Sequence, residues 1–110
     1  MNIKISLIKK MSQTTVNFLK SLDYSEVKQI KPIFTNSNCK VLQLVLKKGQ
    51  GLSEHSTPID AFLHVIEGEC ELSMAGKIYI LKENDTIVLP KGVLHEVWAK
   101  NSNARMLLTR

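Results

Sequence analysis

From residue 40 onward the chain runs only a few residues at a time before meeting a turn-forming residue, and this punctuation constrains its fold more than any other feature. KVLQLVLKK (40–48) places Leu42, Leu44 and Leu46 on one face before Gly49 and Gly51 break the run. AFLHVIE (61–67) reads as a second strand, and GECELSMAG (68–76) as a third, with Cys70, Leu72 and Met74 in alternation. KIYIL (77–81) sets Ile78 and Ile80 against Tyr79 and Leu81, and TIVLP, HEVWA and ARMLLT complete the series. KEND, KGVL and KNSN are the turns between them. Short strands at roughly eight-to-twelve-residue spacing, each closed by Gly, Asn or Pro, argue for an all-β sandwich or barrel.

The first 39 residues read less sharply. NIKISLI (2–8) alternates Ile3, Ile5 and Leu7 like an edge strand, and TTVNFLKSL (14–22) reads as a further strand, with a short helix as the alternative. Met11 followed by SQTT leaves open that the first ten residues are a dispensable extension. No linker, repeat or low-complexity tract divides the chain. It is therefore expected to be one domain, with 1–39 as strands packed on a barrel of residues 40–110, or on a partner's barrel.

At 110 residues the chain can bury a core without disulfides or metal. Its 44% hydrophobic and 23% charged residues are those of a soluble globular protein, and no apolar run approaches a membrane span or a signal peptide's apolar region. The expected compartment is the cytoplasm, with no membrane partner. Cys39 and Cys70 lack CxxC spacing and lie in strand-like runs, where a free thiol acts as a small hydrophobe.

The net charge of +5 is unevenly spread: residues 1–53 carry nine Lys and two acids (+7), and residues 54–110 carry six Lys or Arg and eight acids (−2). The basic half contains no Arg and little aromatic interleaving, whereas nucleic-acid readout favours Arg forks and stacked rings. A solvated strand surface is the better reading, and no nucleic-acid partner is expected.

The chemistry centres on His55 and His95. Gly49 lies six positions before His55, Gly68 thirteen after it, and Pro90, Gly92 and His95 form P-x-G-x-x-H. In these residues the chain resembles the cupin superfamily over roughly residues 40–110. That resemblance implies an all-β, cupin-type double-stranded β-helix, a small jelly-roll barrel of six to ten strands. Its first motif runs G-x5-H-x-H-x(3,4)-E-x6-G, and its second G-x5-P-x-G-x2-H-x3-N. Here Thr57 stands for the second histidine, Ala61 for the glutamate, Asn84 for the opening glycine of the second motif and Ala99 for its closing asparagine. Two of the family's four usual metal ligands remain. Asn84 also tolerates a left-handed turn.

Strand alternation puts Ser53, His55, Thr57, Leu63, Val65, Cys70, Leu72, Met74, His95 and Val97 inward, a mostly apolar pocket with a polar cluster. His55, Thr57, Leu63, Cys70, Met74 and His95 are the expected ligand-binding residues. His64 alternates outward with Phe62 and Ile66, and Trp98 outward with Glu96, so a second layer or a twofold partner is expected over that apolar area. A homodimer is the expected assembly.

Three readings of the site stay open. The first is a binding or sensory module for a small molecule, favoured by the eroded ligand set and by the lack of an inward arginine on the motif strands. The second is a metal-dependent enzyme of the dioxygenase or isomerase type, with Fe, Mn, Zn or Ni on His55, His95 and Asp60. The third is metal-free acid–base chemistry by the two imidazoles.

Overall fold

The computed structural model describes Thr15, Asn17 and residues 19–110. Nine strands are present among them: β1 (Gln29–Thr35), β2 (Lys40–Leu46), β3 (Gly51–His55), β4 (Ala61–Gly68), β5 (Cys70–Met74), β6 (Lys77–Leu81), β7 (Thr86–Leu89), β8 (His95–Trp98) and β9 (Ala104–Thr109). They form a five-stranded sheet, β1-β2-β9-β4-β7, and a four-stranded sheet, β3-β8-β5-β6. Every pairing is antiparallel. This is the all-β double-stranded β-helix expected from the strand spacing and the two motifs. No helix among the described residues is long and apolar enough to cross a membrane.

The core forms where the inner faces meet. Leu42, Leu44 and Leu46 of β2 alternate inward as their spacing requires, beside Ala104 and Met106 of β9 and Leu63 and Val65 of β4. Cys70, Leu72, Leu81 and Val97 face them from the other sheet. Each fully buried leucine contributes roughly 1.5–3 kcal/mol. Tyr79 packs against this core with Leu81, while Ile78 and Ile80 are exposed, the alternation read in KIYIL.

Turn chemistry sets the strand boundaries. Ala75 and Gly76 both have positive φ, 51° and 76°, and join β5 to β6 where Met74 pairs with Lys77, the two-residue hairpin form. Gly68 makes the passage from β4 to β5 and from one sheet to the other. Its φ is +79°, and a Cβ there would lie 1.8 Å from the carbonyl oxygen of Asn103.

A second layer covers part of the outer face of the five-stranded sheet. Gln43, Val45 and Arg105 point away from the core yet are almost completely buried. Ser21 Oγ donates to Gln43 Oε1, and Arg105 Nη1 donates to the Leu22 carbonyl, both at 2.7 Å. The Arg105 guanidinium also lies 4.9 Å from the centre of the Tyr24 ring, whose hydroxyl donates to Glu67. Residues 21–24 thus strap this face.

Two expectations are corrected. Residues 19–22 form a turn and bends, not a strand, and the strand in this part of the chain is β1, further along. Trp98 and the pair Phe62 and Ile66 do not share an outer face, because β8 and β4 belong to different sheets. Trp98 instead lies over Gly51, where a Cβ would come within 2.3 Å of the indole. The strand read in NIKISLI falls outside the described residues.

Gly68→Ala combines a left-handed backbone with a backbone collision and should cost roughly 3 kcal/mol or more. Gly76→Ala, at φ +76° but with nothing within 4 Å, should cost only about 1–2 kcal/mol. Urea unfolding of the two variants separates collision from backbone preference.

Candidate functional site

The site is built by an irregularity in β3. Leu52 pairs with Val97 and His55 with His95, so Ser53 and Glu54 of β3 stand opposite Glu96 alone. This is a β-bulge. Strict alternation would send Leu52 and His55 to opposite faces; the extra residue puts both inward, Leu52 on the core and His55 against His95.

His95 is delivered by the turn Pro90–Val93, where the Val93 N–H donates to the Pro90 carbonyl and Gly92 takes φ +76°. Two residues of the β3–β4 loop clamp this turn. The Gly92 N–H donates to the Thr57 carbonyl at 2.9 Å, and the Lys91 N–H donates to Asp60 Oδ1 at 2.8 Å. Thr57 is buried, with its hydroxyl donating to the Ile59 carbonyl at 2.6 Å.

The two imidazoles meet edge to face, with ring centres 4.4 Å apart and planes inclined by 67°. His55 Nδ1 lies 2.7 Å from the Ser53 carbonyl, and His95 Nδ1 lies 3.1 Å from the Val93 carbonyl. A carbonyl can only accept, so each Nδ1 carries the proton, and in the neutral ring Nε2 holds the lone pair. Burial holds the His95 imidazole below its ordinary pKa, the Val93 carbonyl opposing this and the charge of His55 adding to it.

A cavity of about 400 Å³ opens between the sheets beside His55. Ile30, Leu42, Leu44, Leu52 and Leu108 form its apolar wall; Ser53, Ser56 and Thr57 supply hydroxyls, and Lys28 and Arg110 supply positive charge. Beneath it lies a space of only about 20 Å³, lined by both histidines and by Leu63, Leu89 and Val97. That is about one water's room. A ligand in the larger cavity therefore meets His55 first, with His95 behind.

Of the residues expected to bind a ligand, His55 and Thr57 line the cavity, and His95 and Leu63 line the small space below. Cys70 and Met74 line neither, because β5 lies in the four-stranded sheet away from the opening. Met74 packs against the core, and burial, aided by the charge of Glu69, pushes the Cys70 thiol up to about 12. His64, half-buried on the outer face of β4, is remote from the cavity, as its alternation requires. Asp60 does not join the imidazoles: it is exposed, and its carboxylate is taken by the Lys91 N–H. No group of three or more His, Cys, Asp or Glu suited to a metal occurs among the described residues. Two imidazoles fall short of the three or four ligands that zinc takes, and of the two-histidine, one-carboxylate set of non-haem iron.

Residues 42–109 match the family model described as the cupin domain. The chain is a cupin. A cupin 2 conserved barrel domain protein from Leptotrichia buccalis is 30% identical with a TM-score of 0.80, over 86% of this chain but only 46% of that one. A conserved protein of unknown function from Streptococcus pyogenes superposes with a TM-score of 0.79 at 23% identity, over 90% of this chain and 87% of its own. An RmlC-like cupin from Methanocaldococcus jannaschii, described as a double-stranded β-helix, gives 0.76 at 18% identity, over 91% of each chain. No curated protein matches.

As a cupin, the chain keeps the turn geometry of both motifs while changing the side chains at two ligand positions, Thr57 and Ala61. Asn84, where the second motif opens on glycine, has φ 70° and keeps the left-handed turn. Lys28, Ile30, Ser56 and Arg110 were not expected in the site. Arg110 was nonetheless readable, since it continues the alternation of Met106 and Leu108; Lys28 and Ile30 required β1 to be recognised.

His95 also gives a pH dependence. Its folded pKa lies below the ordinary 6.5, so as pH falls the unfolded chain takes up the proton first. Stability is full above about 6.5 and declines as pH falls through the folded value. Urea unfolding from pH 7.5 to 5 should show this decline, and His95→Gln should flatten it.

Proposed function

We propose that this cupin is a small-molecule-binding or sensory module whose ligand occupies the cavity between β1, β2, β3 and β9. The observation carrying this reading is the cavity of about 400 Å³ beside an exposed imidazole, apolar along one wall and polar at the rim. Binding pockets for small molecules generally combine an apolar surface with a few placed polar groups. His55 Nε2 supplies an acceptor to a ligand hydroxyl or amide, and the Ser53 carbonyl holds the ring in that tautomer. The cytoplasmic setting expected from the sequence suits two free cysteines.

The donor set does not fit a metal-dependent dioxygenase or isomerase, since Asp60 is committed to the Lys91 N–H and, among the described residues, no third His, Cys, Asp or Glu joins the two imidazoles. The imidazole pair supports a second reading, metal-free acid–base chemistry, in which His55 Nε2 takes a proton from the ligand as general base and later returns it, with the buried, neutral His95 ring packed edge to face behind it.

A fragment screen by NMR should give hits that shift the resonances of Leu44, His55 and Leu108, and His55→Ala should weaken them. An absence of hits at these residues would count against the binding reading. Recovery of the ligand unchanged after long incubation supports binding, and conversion abolished by His55→Gln supports catalysis. Elemental analysis after purification without a histidine tag should find well under one equivalent of Fe, Mn, Zn or Ni, and added metal should leave Tm unchanged.

The expected homodimer belongs to this reading as well. β1 is an edge strand exposed along its length, with Ile30, Ile33 and Phe34 all open to solvent, and such an edge is a template for pairing with a second copy. Light scattering at micromolar concentration should give twice the mass of one chain, and Phe34→Lys should shift it toward the monomer.

A further inference from the structure

Two cations line the cavity, and among the described residues no side-chain carboxylate does. Strand alternation explains the first. Leu108 lines the cavity, and Arg110 stands two residues further along the same extended run, about 7 Å on. The second follows from β1: Ile30 pairs with Leu44 and shares its inward face, and Lys28 precedes Ile30 by two.

The two cations are anchored at opposite ends of β2. The Arg110 main chain is paired with Lys40 at the start of β2. Lys28 Nζ instead donates to the Gly51 carbonyl at 2.8 Å, just past the end of β2. Of the acids near the cavity rim, Glu26 is paired with Lys47 and Asp60 accepts from the Lys91 N–H, while Glu54, exposed between Ser53 and His55, is not among the lining residues. Ser56, the residue just after β3, also lines the cavity.

We infer that this cavity takes a small organic anion with an apolar body, its carboxylate at Arg110 and Ser56 and its hydrocarbon along Leu42, Leu44 and Leu108. The inference rests on the ligand-binding reading above and gives that ligand a chemical class. A guanidinium fork matches a carboxylate in two parallel hydrogen bonds, and Lys28 adds positive potential that favours an anion over a neutral or cationic ligand. A volume of about 400 Å³, at about 30 Å³ per water-sized group, holds about a dozen non-hydrogen atoms.

The test is calorimetric titration of the full chain with octanoate, 1-octanol and octylamine. Octanoate should bind at least about tenfold more tightly than 1-octanol, and octylamine most weakly. Arg110→Gln should remove the preference by weakening octanoate to the level of 1-octanol while leaving 1-octanol unchanged. Ser53→Trp, an exposed lining position where a large ring fills the cavity, should abolish binding of all three, with circular dichroism confirming that both variants fold. Equal affinity for octanoate and 1-octanol, both lost in Ser53→Trp, would overturn the anion inference and leave the binding reading standing. No binding by any of the three would overturn both.

Discussion

At Gly68 the chain leaves one sheet and enters the other within two residues, and the interior depends on that step. β4 contributes Leu63 and Val65 to the core from one side, and β5 contributes Cys70 and Leu72 from the other. Only a residue without a Cβ can take a φ of +79° this close to the Asn103 carbonyl. The backbone contact is also what brings the start of β9 to the end of β4, where Gly68 pairs with Ala104. With the sheets held face to face, the leucines of β2 have an opposite wall to pack against, and the gap left beside β3 becomes the cavity.

The outer face of the five-stranded sheet is organised differently, by charge. Burying Arg105 removes a guanidinium from water, at a cost that an ion pair offsets only with good geometry. Glu67 lies 3.7 Å away and remains 40% exposed, so the pair alone does not compensate; the Leu22 carbonyl and the Tyr24 ring supply the rest. Burial and the Glu67 carboxylate together push the Tyr24 hydroxyl up to about 12, so it remains a donor throughout the physiological range. The result is directional contact more than net stability. It fixes where residues 21–24 lie against that face.

Most of the fold was legible because two-residue alternation and turn chemistry are local. Leu42, Leu44 and Leu46, the Ala75–Gly76 hairpin and the left-handed Asn84 each report their structure within a few residues. His55 and His95, forty residues apart, became a pair only through the motif frame, and the structure brings their rings together. What escaped was non-local or irregular. The bulge at Ser53 and Glu54 depends on pairing with β8, so simple alternation missed Leu52's inward turn. Cys70 and Met74 do face inward, but facing inward does not say which part of the interior is hollow. Asp60 looked available as a ligand until the Lys91 N–H, thirty-one residues away, claimed it.

β1 gives the cavity one wall while burying little of itself. Among the described residues only β2 pairs with it, and only Gln29 among its seven residues is even partly buried. A strand held by one ladder and few side-chain contacts opens at a small fraction of the free energy needed to unfold the domain. Ile30 therefore lines the cavity without being locked in the core, whereas Leu42 and Leu44 belong to both. One wall of the binding space is thus made of side chains that carry little of the packing that keeps the barrel folded.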